Sequence, residues 1–345
     1  MNKEIKINKR PRRLRGTSSI RSLTQENHLN VRNFVYPLFI RTGKNQKIEV
    51  ESMPDIYQFS IDQVMYEIEH LLKLNVDKFI LFGIPDKKDE YGSNALSDNG
   101  IIQNSLIEIK KRFPEAFLIT DLCMCEYTDH GHCGIIKNEE LDNDATLEYL
   151  QKQAISHAKF GVDMIAPSGM IDGAVKYIRH ALDSNKFKNL PIMSYSAKFA
   201  SNFYGPFRYA AESAPQYGDR KSYQMSFSNR NEALKEVKID IEEGADIIMV
   251  KPALSFLDII RDVKNTVNVP IAAYNVSGEY SMVKAASKQN WIDENKIINE
   301  ILTSIKRAGA DIIISYFAKK YAKEINQKWK FKILNQKNYL MMLKN

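Results

Sequence analysis

This sequence is poor in the features that mark whole classes of protein. Its 345 residues include three cysteines, eleven prolines and fifteen glycines, too few for a disulfide scaffold, a collagen or a low-complexity chain. The apolar runs, of which Ile247-Ile248-Met249-Val250 is typical, fall far short of the roughly 20 residues a bilayer-spanning helix needs. Residues Met1 to Arg15 are basic, but no apolar segment follows them as it would in a secretory leader. No Gly-x-Gly-x-x-Gly turn follows a strand pattern, which disfavours a doubly wound dinucleotide fold. With 44% hydrophobic and 26% charged residues, the expectation is a globular, cytoplasmic protein with no membrane partner.

The net charge of +7 is unevenly distributed. Residues 1–15 contribute +6 and residues 319–345 contribute +7, which leaves the body between them at −6. Basic ends can hold nucleic acid, but solvated termini explain them as well, and no nucleic-acid partner is expected.

Eight short β-rich runs stand out: Phe34–Ile40, Phe79–Phe82, Phe117–Asp121, Asp163–Pro167, Pro191–Tyr195, Asp246–Lys251, Pro270–Tyr274 and Ile312–Tyr316. Amphipathic stretches separate most of them: Ile61–Leu74, Ile101–Arg112, Thr146–Phe160, Gly173–Ser184, Arg230–Glu243 and Glu294–Ala308. Three of these end in similar tags, Gly161-Val162-Asp163, Gly244-Ala245-Asp246 and Gly309-Ala310-Asp311, with glycine placed to terminate the helix. This alternation predicts an α/β chain folded as a single (β/α)8 TIM barrel over residues 34–325. An extended N-terminal arm at 1–33 and a basic C-terminal tail at 326–345, with Trp329, Phe331 and Leu334 as docking residues, flank it. Residues 196–229 lack helical periodicity for most of their length and read as a long active-site lid between strands 5 and 6.

Reactive residues gather at the strand ends. Lys251 follows an apolar run, and Lys198 ends the neighbouring strand pattern. Two ammonium groups in a partly dry site depress one another's pKa and leave a free amine able to form Schiff bases with carbonyls. Cys123, Cys125 and Cys133, spaced Cys-x-Cys-x7-Cys, supply three thiolates. That number suits a catalytic zinc with one open position, unless His130 or His132 closes the site as a structural one. Arg208 and Arg220 in the lid, with Ser277 and Tyr316 at the last strand ends, point to an anionic carbonyl substrate.

At these residues the sequence resembles the delta-aminolevulinic acid dehydratase (porphobilinogen synthase) family. The segments that carry the resemblance are Arg10-Pro-Arg-Arg-Leu-Arg15, Asp121-Leu-Cys-Met-Cys-Glu-Tyr-Thr-Asp-His-Gly-His-Cys-Gly134, Ser194-Tyr-Ser-Ala-Lys-Phe-Ala-Ser-Asn-Phe-Tyr-Gly-Pro-Phe-Arg208, Met249-Val-Lys-Pro-Ala253 and Tyr274-Asn-Val-Ser-Gly-Glu-Tyr280. The resemblance implies a hydro-lyase that condenses two 5-aminolevulinate molecules to porphobilinogen in tetrapyrrole (haem) synthesis. Lys251 would bind the first substrate covalently and Lys198 would serve the second, with Asp121 beside both. Cys123, Cys125 and Cys133 would hold Zn2+. Arg208, Arg220 and Gln224 would take the second substrate's carboxylate, and Ser277 and Tyr316 the first's. The resemblance also implies an allosteric Mg2+ on Glu236 and a homo-octamer whose arms wrap neighbouring subunits. A class I aldolase is the nearest alternative, but one lysine would suffice there, leaving Lys198 and the cysteines unexplained.

Overall fold

The computed structural model describes residues 9–327. Eight parallel strands form the barrel: β1 (Phe34–Arg41), β2 (Lys78–Ile84), β3 (Phe117–Leu122), β4 (Met164–Pro167), β5 (Met193–Lys198), β6 (Ile247–Lys251), β7 (Ile271–Asn275) and β8 (Ile312–Ser315). Hydrogen-bonded neighbours run in the order β4-β3-β2-β1-β8-β7-β6-β5. The remaining seam, between β4 and β5, is closed by a parallel bridge between Ile165 and Ile192. All eight anticipated strands are present, with boundaries shifted by at most a few residues.

The outer layer comprises α1 (Ile61–Leu72), α2 (Ile101–Arg112), α3 (Asn143–Lys159), α4 (Ala174–Ser184), α5 (Arg230–Glu242), α6 (Leu257–Thr266), α7 (Ser277–Lys288) and α8 (Glu294–Ala308). In α8 the Asp293 side chain accepts from Lys296 N at the N-terminus, while Ile298, Ile301, Leu302 and Ile305 form the buried stripe. Each such side chain contributes about 1.5–3 kcal/mol on burial. Gly161, Gly244 and Gly309, at the ends of α3, α5 and α8, have φ of +86°, +106° and +133°, as their helix-ending role requires.

Helices α6 and α7 were not anticipated. The start of α7 carries Gly278, a poor helix former, yet a Cβ there would meet Phe203 O at 2.6 Å. The glycine is therefore spent on a close approach to the lid. The lid itself contains a short helix, Gly205–Ala210, and its two ends meet in a bridge between Phe199 and Met225. The described part of the N-terminal arm is not fully extended: it forms a 3-10 turn at Pro11–Arg15 and a short helix at Ser18–Leu23, neither of which buries a residue. Most of the anticipated C-terminal tail, including Trp329, Phe331 and Leu334, lies outside the described residues.

Candidate active site

Lys198 and Lys251 end neighbouring strands and stand opposite one another in the β5–β6 register. A shift in that register puts them on the same side. Ile248 pairs with Ser194 and Val250 with Ala197, so β5 spends three residues where β6 spends two. The strict alternation that turns Tyr195 into the barrel would turn Lys198 out; the extra residue restores it. Lys198 is buried and its Nζ donates to Ser168 O.

Lys251 is enclosed by aromatic rings, with its Nζ at 4.4 Å from the Tyr274 ring centre, 5.0 Å from Tyr195, 5.1 Å from Phe207 and 5.3 Å from Tyr204. Phe207 comes from the lid and packs on Phe82 and Phe39, so lid and barrel wall together exclude water from the amine. Burial first, then the Lys198 charge, lower the Lys251 pKa to about 7. Asp121 ends the inward face of β3, where its Oδ2 accepts from Ser168 Oγ at 3.0 Å and its Oδ1 has no partner. Burial and then the Glu126 charge raise its pKa to about 7, against the pull of both lysines.

One cavity is lined by Asp121, Lys198, Lys251, Arg208, Arg220 and Cys125, among others. The sulfur atoms of Cys123, Cys125 and Cys133 lie within 4.8 Å of one another and are buried. Hydrogen bonds shared with Cys123 and Cys133, then burial, push the Cys125 thiol up, while hydrogen bonds from Cys123 and Cys125 hold Cys133 well below the usual thiol range. Neither histidine closes the set. The His132 ring nitrogens lie 3.1 Å from Tyr223 Oη and 3.1 Å from Tyr217 O. His130 Nδ1 accepts from His132 N, and its Nε2 faces Glu90 O. Three soft ligands with no fourth from these rings fit the open type of zinc site. Glu126, buried with Oε2 at 3.3 Å from Cys125 Sγ, is an acidic neighbour that spacing alone did not single out.

The lid cations differ in setting. Arg220 is buried and donates to Gly131 O and Ser213 O, while Arg208 is half-buried with Nε unpartnered. Gln224 is buried with both amide atoms unpartnered, a group left waiting for a polar ligand. Ser277 and Tyr316 lie one step back from the cavity. Ser277 Oγ accepts from Phe207 N and donates to Phe203 O, and Tyr316 Oη lies 3.1 Å from Tyr274 Oη. Glu236 does not line the lysine cavity and is half-buried on α5; its carboxyl is raised by burial and then by Asp172 and Asp240. Among the described residues it belongs to no trio of ligating side chains close enough to share an ion.

Comparison with known proteins identifies the family. The family model described as Delta-aminolevulinic acid dehydratase matches residues 8–324. The chain belongs to this family. It is 54% identical over 314 residues to the delta-aminolevulinic acid dehydratase of Bacillus subtilis (strain 168), covering 91% of this chain and 97% of that protein. The Archaeoglobus fulgidus protein of the same name is 52% identical over 316 residues, with coverage of 92% and 98%. A solved structure of delta-aminolevulinic acid dehydratase from Toxoplasma gondii ME49, in complex with its product porphobilinogen, superposes with a TM-score of 0.90 at 38% identity, covering 92% of this chain and 91% of that one. The barrel and the dehydratase class expected from the sequence both stand. No helix among the described residues is long and apolar enough to cross a membrane.

The two groups near neutrality give this site a definite pH dependence. Below about pH 7 Lys251 is protonated and cannot attack a carbonyl, and Asp121 is protonated and cannot accept a proton. Both reach their reactive forms as pH rises, in a joint titration. Initial rates should therefore fall steeply on the acid side of about pH 7 and level off above it. A rate that is flat from mildly acidic to neutral pH would contradict this assignment.

Proposed function

We propose that this chain condenses two molecules of 5-aminolevulinate to porphobilinogen with loss of two waters, a step of haem synthesis. The observation that carries this reading is the pair of facing lysines, one desolvated to a pKa of about 7, in the cavity that Cys125 of the three-thiol cluster also lines.

The neutral Lys251 amine attacks the ketone carbon of the first substrate; a Schiff base forms and water leaves. Lys198, facing it, engages the second ketone. Asp121, held by Ser168, exchanges protons with the reacting carbons and nitrogens that the lysines bring to it. Arg208, Arg220 and Gln224 take the second substrate's carboxylate, and the unpartnered polar atoms on all three support that role. Ser277 and Tyr316 take the first substrate's carboxylate, which requires their present contacts with the lid and Tyr274 to rearrange.

Cys123, Cys125 and Cys133 would hold Zn2+, which when bound supplies Lewis-acid polarisation of a substrate oxygen. The three thiols would bind it as thiolates, so its affinity would fall as pH falls. Glu236, whose carboxyl feels the charges of Asp172 and Asp240, is the residue to which we assign the allosteric Mg2+, a cation that takes hard oxygen ligands. A homo-octamer built through the N-terminal arm, in the cytoplasm, completes the proposal; Leu14 and Leu23 on the arm are 55% and 80% exposed and suit a subunit contact.

The test is porphobilinogen formation from 5-aminolevulinate by the purified protein, with and without a zinc chelator. Turnover that stops on chelation and returns with zinc is expected. Turnover that persists after verified zinc loss would remove the metal from the mechanism, and absence of turnover in zinc and magnesium would favour the aldolase-like alternative.

A further inference from the structure

The residues that lead into Cys133 are held by the lid. His130 O accepts from Gln216 N at 3.0 Å, and Gly131 O accepts from Arg220 Nη2 at 2.7 Å. Gly131 has φ +70°, and a Cβ there would stand 2.3 Å from Ala214 O, so the two loops are in backbone contact. Beyond it, the His132 ring is clamped at both nitrogens. Tyr217 O can only accept, so Nε2 carries the proton and donates to it, which leaves Nδ1 to accept from Tyr223 Oη. The Tyr223 ring in turn packs on the cysteine cluster, and Tyr223 sits in the chain between Arg220 and Gln224.

We propose that His132 and Tyr223 are positioning residues that join the three-thiol centre to the carboxylate clamp of the lid. This inference rests on the zinc and carboxylate roles proposed above. Fixing Cys133 as a ligand fixes His132 beside it; His132 orients Tyr223, and Tyr223 sets Arg220 and Gln224 on either side. By reciprocity, metal that favours the closed lid is itself retained by it.

Limited proteolysis of the whole protein at residues 212–222, followed by mass spectrometry with and without zinc, reads this directly. In the wild type, zinc removal should speed lid cleavage about tenfold, the worth of a hydrogen bond of about 1.4 kcal/mol. Tyr223→Phe, which keeps the ring and loses the hydroxyl, should be cleaved at the faster rate even with zinc and gain little on its removal. Its KM for 5-aminolevulinate should rise about tenfold while kcat moves much less, and a chelator should strip its zinc faster. Where Tyr223→Phe loses its native circular dichroism, His132→Gln carries the same test. Equal cleavage of the wild type with and without zinc, or an unchanged zinc response in a folded variant, overturns the proposal. Wild-type turnover, measured alongside, shows separately whether the proposed reaction stands.

Discussion

Lys251→Ala should abolish turnover, lowering kcat by about 10⁴-fold or more, as removal of a covalent nucleophile does when no neighbour can replace it. Lys198 is the one candidate substitute, and the structure argues against it. It is assigned to the second substrate, and its Nζ donates to Ser168 O, whereas Lys251 Nζ faces ring systems on several sides. Those rings favour a charged amine, yet burial and the Lys198 charge prevail and bring the Lys251 pKa to about 7. The substitution removes the amine and leaves the barrel strand intact, so thermal stability should change little relative to the loss of rate. Borohydride reduction with substrate present should add one substrate-derived mass to the wild type at Lys251 and none there in the variant. Near-normal rates in the alanine variant would falsify the Schiff-base mechanism.

The barrel was legible because its signals are local and repeated. Strands of Ile, Val, Phe and Met alternate with amphipathic helices, and the glycines that close α3, α5 and α8 all adopt positive φ. The helix beginning at Ser277 was harder to see, because Gly278 is selected by contact with Phe203 rather than by helix propensity. Similarly, the two lysines were recognisable as strand-end residues, but nothing in the spacing shows the register shift that turns Lys198 inward. The aromatic enclosure of Lys251 draws on β5, β7 and the lid. Residues so far apart in the chain leave no short-range pattern. The cysteines were plain from clustering alone. Whether His130 or His132 completed their site depended on ring partners supplied by Glu90 in the segment after β2 and by Tyr217 and Tyr223 in the folded lid.

That distinction bears on Cys125→Ala, which should leave little activity even with added zinc. Zinc bound wholly by a small protein site is worth about 10–16 kcal/mol, so one thiolate of three carries about 4 kcal/mol, or about 10³-fold in affinity. A fourth protein ligand could soften that loss, but both histidine rings are held by other partners. Glu126 Oε2 lies 3.3 Å from the Cys125 sulfur that would be removed, and its hard oxygen is a poorer match for zinc than sulfur. Zinc forced in by mass action would then sit in a distorted two-thiol site. Cys125 is also the one sulfur that lines the cavity with Lys198 and Lys251, so the thiol lost is the one that would face the substrates. Zinc content and turnover measured on the same samples separate these effects. Low zinc with low rate marks lost affinity, and full zinc with low rate marks lost position. A variant that turns over at the wild-type rate without zinc would show that the three-thiol centre has no part in the reaction.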